Sequence, residues 1–294
     1  MNFRAVTTAS LLACGLIASA QADTLSKVSE SNKITVAYRE SSVPFSYLAG
    51  AGSAVGFSAD LTAAIVDAVK KKVNKPGLEV AMMPVTSQNR IPLLANGTID
   101  LECGSTTNNA TRAQDVAFAV NHFYTGTRLL VKKTSGIRNY ADLAGKTVAS
   151  TTGTTNAQVI RKYNTDNNLG MSIVLGKDHD DSLLMVEGGR AVAFAMDDIL
   201  LFGLKANSKD PASLDVVGDS LQVEPYACML RKDDPAFKAL VDGVITGMMK
   251  SGDFEKLYTK WFMSPIPPKN INLNLPMSPQ LKENLKAFSD KPAG

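Results

Sequence analysis

The sequence KITVAY at residues 33–38 predicts a β-strand, and LTAAIVDAV at residues 61–69 predicts the helix that follows it. Apolar residues in the second stretch recur at spacings of three and four, which places them on one face of a helix. After a Pro-Gly break come a strand pattern at 79–84, a short helix at 88–96 and a third strand at 99–104. This alternating order predicts a parallel sheet covered by helices.

A second set of similar patterns follows, and helical patterns dominate the last third of the chain. The second set lies at 127–131, 146–150, 156–163, near Ile173, 183–187 and 191–196. Two apolar helical stripes, at 237–248 and 254–261, have no strand after them, so these helices must pack on a sheet already built. The residues after Pro265 are expected to form an extended strap and a short helix at 281–288. The predicted fold class is α/β.

The first 22 residues have the composition of a secretory signal peptide. Arg4 supplies a positive charge, an apolar stretch runs over residues 5–20, and Ala20-Gln21-Ala22 matches a cleavage site. The exported chain is therefore expected to begin at Asp23. The alternative is a lipoprotein with a lipidated Cys14, which the short apolar run before this cysteine disfavours.

The charge pattern of the exported chain is not typical of a nucleic-acid-binding protein. Removing residues 1–22 takes away Arg4 and no acidic residue, which lowers the formal charge from +3 to +2. Lys and Arg form no concentrated run. The hydrophobic content of 45% is enough for one large domain or two of ordinary size.

The cysteines, the histidines and the absence of several known motifs limit the metal-binding and catalytic functions that the chain could have. Cys103 and Cys228 meet an oxidising compartment after export, so a disulfide between them is the simplest prediction, with two buried free thiols as the alternative. The chain has two histidines, His122 and His179, too few for a multi-histidine metal site. A Cys103–His179 nucleophile pair has no signature around the cysteine. Phosphate-loop, dinucleotide-binding, zinc-protease and nucleophile-elbow motifs are absent, so no cofactor is predicted.

Polar residues are concentrated where four of the predicted strands end. These segments are YRESS at 38–42, TSQNR at 86–90, GSTTNNATR at 104–112 and STTGTT at 150–155. Ligands of open parallel sheets bind at the carboxyl ends of strands, and a helix start favours an anion. Taken singly, Ser87 and Thr155 are explained as helix caps and each arginine as a solvated side chain. The coincidence of three arginines and several hydroxyls at these ends favours a shared anion-binding site.

Seven segments resemble the periplasmic glutamate/aspartate-binding proteins of bacterial ABC importers, in solute-binding protein family 3. They are RESSVPFSY (39–47), TSQNRIPLL (86–94), ECGSTTNN (102–109), KDHDDS (177–182), GRAVAFAMDD (189–198), MLRKDDPAF (229–237) and KWFMSPIPPKN (260–270). The resemblance runs from about Ser31 to near the C-terminus. It implies a periplasmic, non-enzymatic protein, monomeric by default, that captures L-glutamate or L-aspartate and delivers it to a membrane permease.

The resemblance also implies a periplasmic-binding-protein type II fold, or Venus flytrap, with two α/β lobes joined by two crossing strands. Lobe 1 is expected to comprise residues 23–121 and 225–294, and lobe 2 residues 122–224. The C-terminal helices would then return to complete lobe 1. Both cysteines fall in lobe 1 near the hinge, which favours the disulfide.

Carried over onto this sequence, the resemblance assigns the α-carboxylate and α-ammonium groups of the ligand to separate residues. Arg112 would hold the α-carboxylate through paired charge-assisted hydrogen bonds. Three hydroxyl-bearing residues would assist it: Thr107, Thr154 and Thr155. Asp197 would accept the α-ammonium group.

The side-chain carboxylate of the ligand would be surrounded by four further residues: Arg39, Ser87, Arg90 and His179. The Ser105 region would assist Asp197 in binding the α-ammonium group. With three arginines and one aspartate, the site is expected to hold a positive surplus, larger if His179 is protonated.

Glu40 and Glu102 are expected to offset this surplus from behind the site. They are also the two candidate acid/base groups for the alternative function, a periplasmic dehydratase-type enzyme on the same scaffold.

Overall fold

The computed structural model describes residues 23–50 and 52–293. The predicted signal peptide, with Cys14, lies outside these residues. None of the helices in the described ranges is both long and apolar enough to cross a membrane.

Strands and helices alternate along most of the described chain, as the α/β class requires. The strands are β1 (Lys33–Tyr38), β2 (Ser41–Ser42), β3 (Ser46–Tyr47), β4 (Glu79–Pro84), β5 (Leu101–Glu102), β6 (Val116–Phe118), β7 (Phe123–Thr125), β8 (Thr127–Lys132), β9 (Thr147–Thr151), β10 (Ser172–Gly176), β11 (Ala193–Asp197), β12 (Leu214–Val217), β13 (Glu224–Tyr226), β14 (Met229–Arg231), β15 (Pro265–Ile266) and β16 (Ile271–Asn272). The helices are α1 (Thr24–Ser31), α2 (Phe57–Lys72), α3 (Arg90–Ala95), α4 (Thr155–Asp166), α5 (His179–Glu187), α6 (Asp198–Asn207), α7 (Pro235–Ser251), α8 (Asp253–Phe262) and α9 (Pro279–Ala287).

Two five-stranded sheets form the centres of two α/β lobes. The first has the order β4-β1-β5-β14-β6, and the second has the order β10-β9-β11-β8-β12. Helices α7 and α8 pack on each other and on α2, beside the first sheet. The two C-terminal helices therefore pack on a helix from the first hundred residues.

Each sheet is mixed, which corrects the predicted parallel arrangement. Strands β4, β1 and β5 are parallel to one another, but β14 runs antiparallel to both β5 and β6. In the second sheet β10, β9 and β11 are parallel, whereas β8 is antiparallel to β11 and β12. Strand β8 follows β7 after one residue, so no crossover helix precedes it. It is therefore not the first strand of a second parallel βα unit.

A short antiparallel pair, β7 with β13, links the two lobes. Phe123 pairs with Tyr226, and Thr125 pairs with Glu224. The ring of Phe123 lies 5.0 Å from that of Phe45 and 5.1 Å from that of Phe262, centroid to centroid. This buried aromatic cluster fixes the linking strands against lobe 1.

Cys103 and Cys228 form a buried disulfide, which confirms the predicted pairing. It joins the end of β5 to the residue before β14. The C-terminal strap reaches the same region: the backbone N–H of Asn121 donates to Ser289, and that of Ala293 donates to Asn108. The expected extended strap and short helix are thus both present, and they brace the segment that leads into β7.

A candidate ligand-binding site between the two lobes

A small cavity lies between the lobes, at the carboxyl ends of the central strands. Its walls contain every residue of the predicted site except Arg39, together with three that were not predicted. The lining residues are Ser87, Arg90, Ser105, Thr107, Arg112, Thr154, Thr155, Asn156, His179, Met196, Asp197 and Leu200. Three of the four polar segments at the strand ends therefore converge on this cavity, and the segment 38–42 does not line it.

Arg112 lies at one side of the cavity and contacts both lobes. Its Nη1 donates to the carbonyl of Thr107 at 2.9 Å, and its Nη2 donates to the carbonyl of Gly153 at 3.3 Å. Burial lowers its pKa, while the carboxylates of Glu224 and Asp197 act in the opposite direction. Both hydrogen-bond acceptors are neutral carbonyls and do not neutralise the guanidinium, so Arg112 can still bind an anionic group of a ligand.

Arg90 is the first residue of α3 and is almost completely buried. Its Nη1 donates to the carbonyl of Ser105 at 3.2 Å and lies 3.7 Å from Glu102 Oε1. Burial lowers the pKa of Arg90 to about 9, with Glu102 opposing the shift, so the side chain is cationic at neutral pH. Arg90 Nε and Ser87 Oγ are buried without a hydrogen-bond partner among the described residues. Both groups can therefore donate a hydrogen bond to an acceptor on a ligand.

Arg39 adjoins the cavity through His179 and links the lobes. Its Nη2 donates to Asp178 Oδ1 at 2.6 Å and lies 3.3 Å from His179 Nε2. Arginine can only donate, so His179 Nε2 accepts and Nδ1 carries the proton that bonds Thr151 Oγ1 at 3.0 Å. Burial lowers the pKa of His179 to about 3. His179 is therefore neutral, and the larger positive surplus with a protonated ring does not arise.

Asp197 ends β11 and is the anionic wall of the cavity. Asn156 Nδ2 donates to its Oδ1 at 2.8 Å, and the hydroxyl of Tyr226 donates to its Oδ2. Burial and the nearby carboxylate of Glu224 raise the pKa of Asp197 well above its usual value. Both of its hydrogen-bond partners are neutral, so a ligand cation would stabilise its ionised form.

The remaining predicted hydroxyl groups differ in what they contact. Thr154 is the N-cap of α4 and accepts from the backbone N–H of Ala157, so the cap is Thr154 and not Thr155. Ser105 Oγ donates to Ser42 Oγ at 3.1 Å. Thr107 and Thr155 both donate to one carboxylate, that of Glu224.

Glu224 is a buried carboxylate beside the candidate site that the sequence analysis did not predict. It is 1% exposed and is the first residue of β13, at the predicted boundary of lobe 2. Its one sequence signal is a carboxylate directly before Pro225, in a strand that returns across the hinge.

The charge balance of the site also differs from the prediction. Glu40 is exposed and does not line the cavity, so it cannot offset buried arginines. Glu102 is fully buried and accepts from Thr106 at 2.7 Å, and Asp178 and Glu224 contribute two more carboxylates. Four acids accompany three arginines, because a guanidinium buried without a partner is strongly unfavourable. Of the two carboxylates predicted to offset the arginine charge, Glu102 lies where it can do so and Glu40 does not.

The exposure of Glu40 also removes one of the two candidate acid/base groups for the alternative enzymatic function. Glu40 is on the surface, and Glu102 is held by Thr106 and beside Arg90. The arrangement instead suits the binding of a small molecule that carries both acidic groups and a positively charged group.

Sequence and structure comparisons agree with this interpretation. Residues 34–264 match the model of the bacterial extracellular solute-binding proteins, family 3. The chain is 50% identical over 299 residues to the glutamate/aspartate import solute-binding protein of Salmonella typhimurium, with 99% of each chain covered. It is 49% identical over 286 residues to the L-glutamate/L-aspartate-binding protein of Pseudomonas aeruginosa, covering 97% of this chain and 95% of that one.

Among solved structures, a mutant of ArgBP from T. maritima superimposes with a TM-score of 0.72 at 27% identity, covering 81% of this chain and 98% of that chain. The predicted two-lobed type II fold is confirmed, and the similar curated proteins are transport proteins rather than enzymes. The chain belongs to the bacterial extracellular solute-binding proteins, family 3.

Proposed function

We propose that this chain captures L-glutamate or L-aspartate between its lobes and delivers it to the permease of an ABC importer. The observation that carries the proposal is the convergence of buried arginines on one small cavity: Arg90 and Arg112 line it, and Arg39 adjoins it through His179. The names of the curated relatives support the same ligands.

In the proposed complex the two acid groups of the ligand bind at different arginines. The α-carboxylate binds Arg112 and the free backbone N–H groups at the start of α4. The side-chain carboxylate accepts from Arg90 Nε and Ser87 Oγ, which have no partner among the described residues. The α-ammonium group binds Asp197, which completes the buried charge pairs and favours the closed arrangement.

The proposal extends to organisation and compartment. Lobe 1 comprises residues 23–121 and 225–294, and lobe 2 comprises 122–224, because β7 and β13 are the crossing strands between the two sheets. Export would place the mature chain in the periplasm, where it acts as a monomer and binds no nucleic acid.

Calorimetric titration of the ligand-stripped mature chain tests the proposal. Glutamate and aspartate should each bind with a stoichiometry of one. Glutamine and asparagine should bind about a hundredfold more weakly, because an amide in place of the carboxylate forms weaker hydrogen bonds with Arg90. Equal affinity for glutamine and glutamate, or no heat with any of the four, would overturn the proposal.

A further inference from the structure

Glu224 binds the hydroxyl groups of two cavity residues that belong to different lobes. Its Oε2 accepts from Thr107 Oγ1 and, at 2.7 Å, from Thr155 Oγ1. The side chain of Gln222 donates to the other oxygen, Oε1. Glu224 thus lies behind the two threonines, in the strand that crosses between the lobes.

Each hydroxyl has a single proton, and the group to which it donates that proton determines whether it can donate to a ligand or only accept from one. A hydroxyl has one proton to donate and two lone pairs to accept with. Thr107 and Thr155 each direct that proton to Glu224, so their mutual contact of 3.3 Å has no proton left to bridge it. Toward the cavity both oxygens can only accept.

We propose that Glu224 is a positioning residue that turns Thr107 and Thr155 into acceptors and thereby selects a ligand with an amino group. A carboxylate has no proton to give these oxygens, whereas an ammonium group has three donors. With Asp197, the two threonines supply three acceptors for those donors. This inference rests on the proposed function, and it reverses the role in α-carboxylate binding that the sequence resemblance implies for the two hydroxyls.

The test compares L-glutamate with glutarate, which is the same dicarboxylate without the amino group. Calorimetry on the mature chain would give both dissociation constants for the unmodified protein and for Thr155→Val and Thr107→Val, which keep the side-chain shape and charge. Each valine variant should bind glutamate about ten- to hundredfold more weakly and leave glutarate unchanged, because only the ammonium group loses an acceptor. Equal weakening of both ligands would show that the hydroxyls donate to a carboxylate, and would overturn the inference.

Glu224→Gln tests the positioning role itself, since the amide can donate to the hydroxyls and free a proton for the cavity. The preference for glutamate over glutarate should fall about tenfold or more in this variant. In the Thr107→Val/Thr155→Val background the same substitution should leave the preference unchanged, because its effect acts through the hydroxyls.

A fall in preference that persists without the threonines would indicate a plain charge effect and contradict the inference. Thermal unfolding of the ligand-free variants checks that they fold. If the unmodified protein binds neither ligand, the proposed function fails; if it binds glutamate and Glu224→Gln keeps the full preference, only the inference fails.

Discussion

Arg90 and Arg112 are both buried in the cavity wall, but their partners differ. Arg112 contacts carbonyl groups of two lobes, whereas Arg90 lies beside Glu102 and has a free Nε. We therefore expect Arg112 to serve every amino acid, since all have an α-carboxylate, and Arg90 to serve acidic side chains alone.

Substitution of each arginine tests this division. Arg112→Ala should abolish detectable binding of glutamate, aspartate, glutamine and asparagine. Arg90→Ala should weaken glutamate and aspartate about ten- to hundredfold and reduce binding of the two amides much less. Calorimetry would measure both effects, with Arg128→Ala as a control, because Arg128 contacts Gly218 and Val216 away from the cavity. Normal glutamate binding by either cavity variant would contradict the assignment.

Two buried histidines predict how stability responds to pH. Burial lowers the pKa of His122 and of His179 to about 3, below the usual value of about 6.5. The neutral rings therefore contribute stability that is fully present above pH 6.5 and is lost as pH falls toward 3. Each histidine should lower the free energy of unfolding by up to about 1.4 kcal/mol per pH unit in this range.

Urea unfolding at pH 7 and pH 5 measures this loss. In His122→Phe the imidazole, whose ring lies 5.9 Å from that of Phe57, is replaced by a phenyl ring that cannot titrate. Between the two pH values the free energy of unfolding should therefore fall by about 2 kcal/mol less in this variant than in the unmodified protein. The same loss in both proteins would show that His122 does not contribute.

At the scale of residues, the sequence predicted the cations of the site better than the anions. The three arginines lie in the polar segments that come after three predicted strands, and Asp197 ends a strand, so the order of local patterns was enough to group them. Glu224 contacts Thr107 across 117 positions, and no local pattern marks that pairing. Burial of Glu102 and exposure of Glu40 likewise follow from tertiary packing.

At the scale of the elements, two glycines allow the backbones of the two lobes to approach each other closely. A Cβ on Gly153, before α4, would lie 2.6 Å from Gln88 Cα, and one on Gly203, in α6, would lie 2.4 Å from the carbonyl oxygen of Val43. Real Cβ atoms do not approach backbone so closely, so the lobes could not meet in this way with larger residues.

Gly153→Ala should therefore impair closure. The variant should bind glutamate about tenfold more weakly or worse, because the added methyl group pushes the lobes apart at Gln88. Gly136→Ala is a matched control: its φ of +73° is close to the +77° of Gly153, but a Cβ there meets nothing within 4 Å. The control should lose about 1 kcal/mol of stability and keep its affinity. Equal affinities of the two variants would exclude a steric role for Gly153.

Most elements were predictable in kind, but the direction of the strands was not. Periodicity located β1, α2, β4 and both C-terminal helices, because amphipathic faces are local patterns. The third strand is shorter than predicted, Leu101–Glu102, and helix α6 was not predicted after Asp197. The antiparallel strands β8 and β14 adjoin the crossing segments, and their direction follows from how the chain passes between the lobes.

At the scale of the whole molecule, several polar contacts join the two lobes around the cavity. Arg39 binds Asp178 across the interface, Arg112 binds Gly153, and Glu224 holds a threonine from each lobe. The α/β class was readable from element order alone, whereas the two-lobed arrangement came from the family resemblance, since no single pattern reports how distant segments meet.

Buried guanidinium groups are expected to bind both acid ends of one amino acid inside this cavity. A crystal structure of the protein with bound L-glutamate would show whether both arginines bind the ligand. We expect the α-carboxylate at about 2.7–2.9 Å from the Arg112 guanidinium and the side-chain carboxylate at the same distance from Arg90 Nε. Glutamate bound outside the cavity, or bound with its two carboxylates exchanged between Arg112 and Arg90, would contradict this expectation.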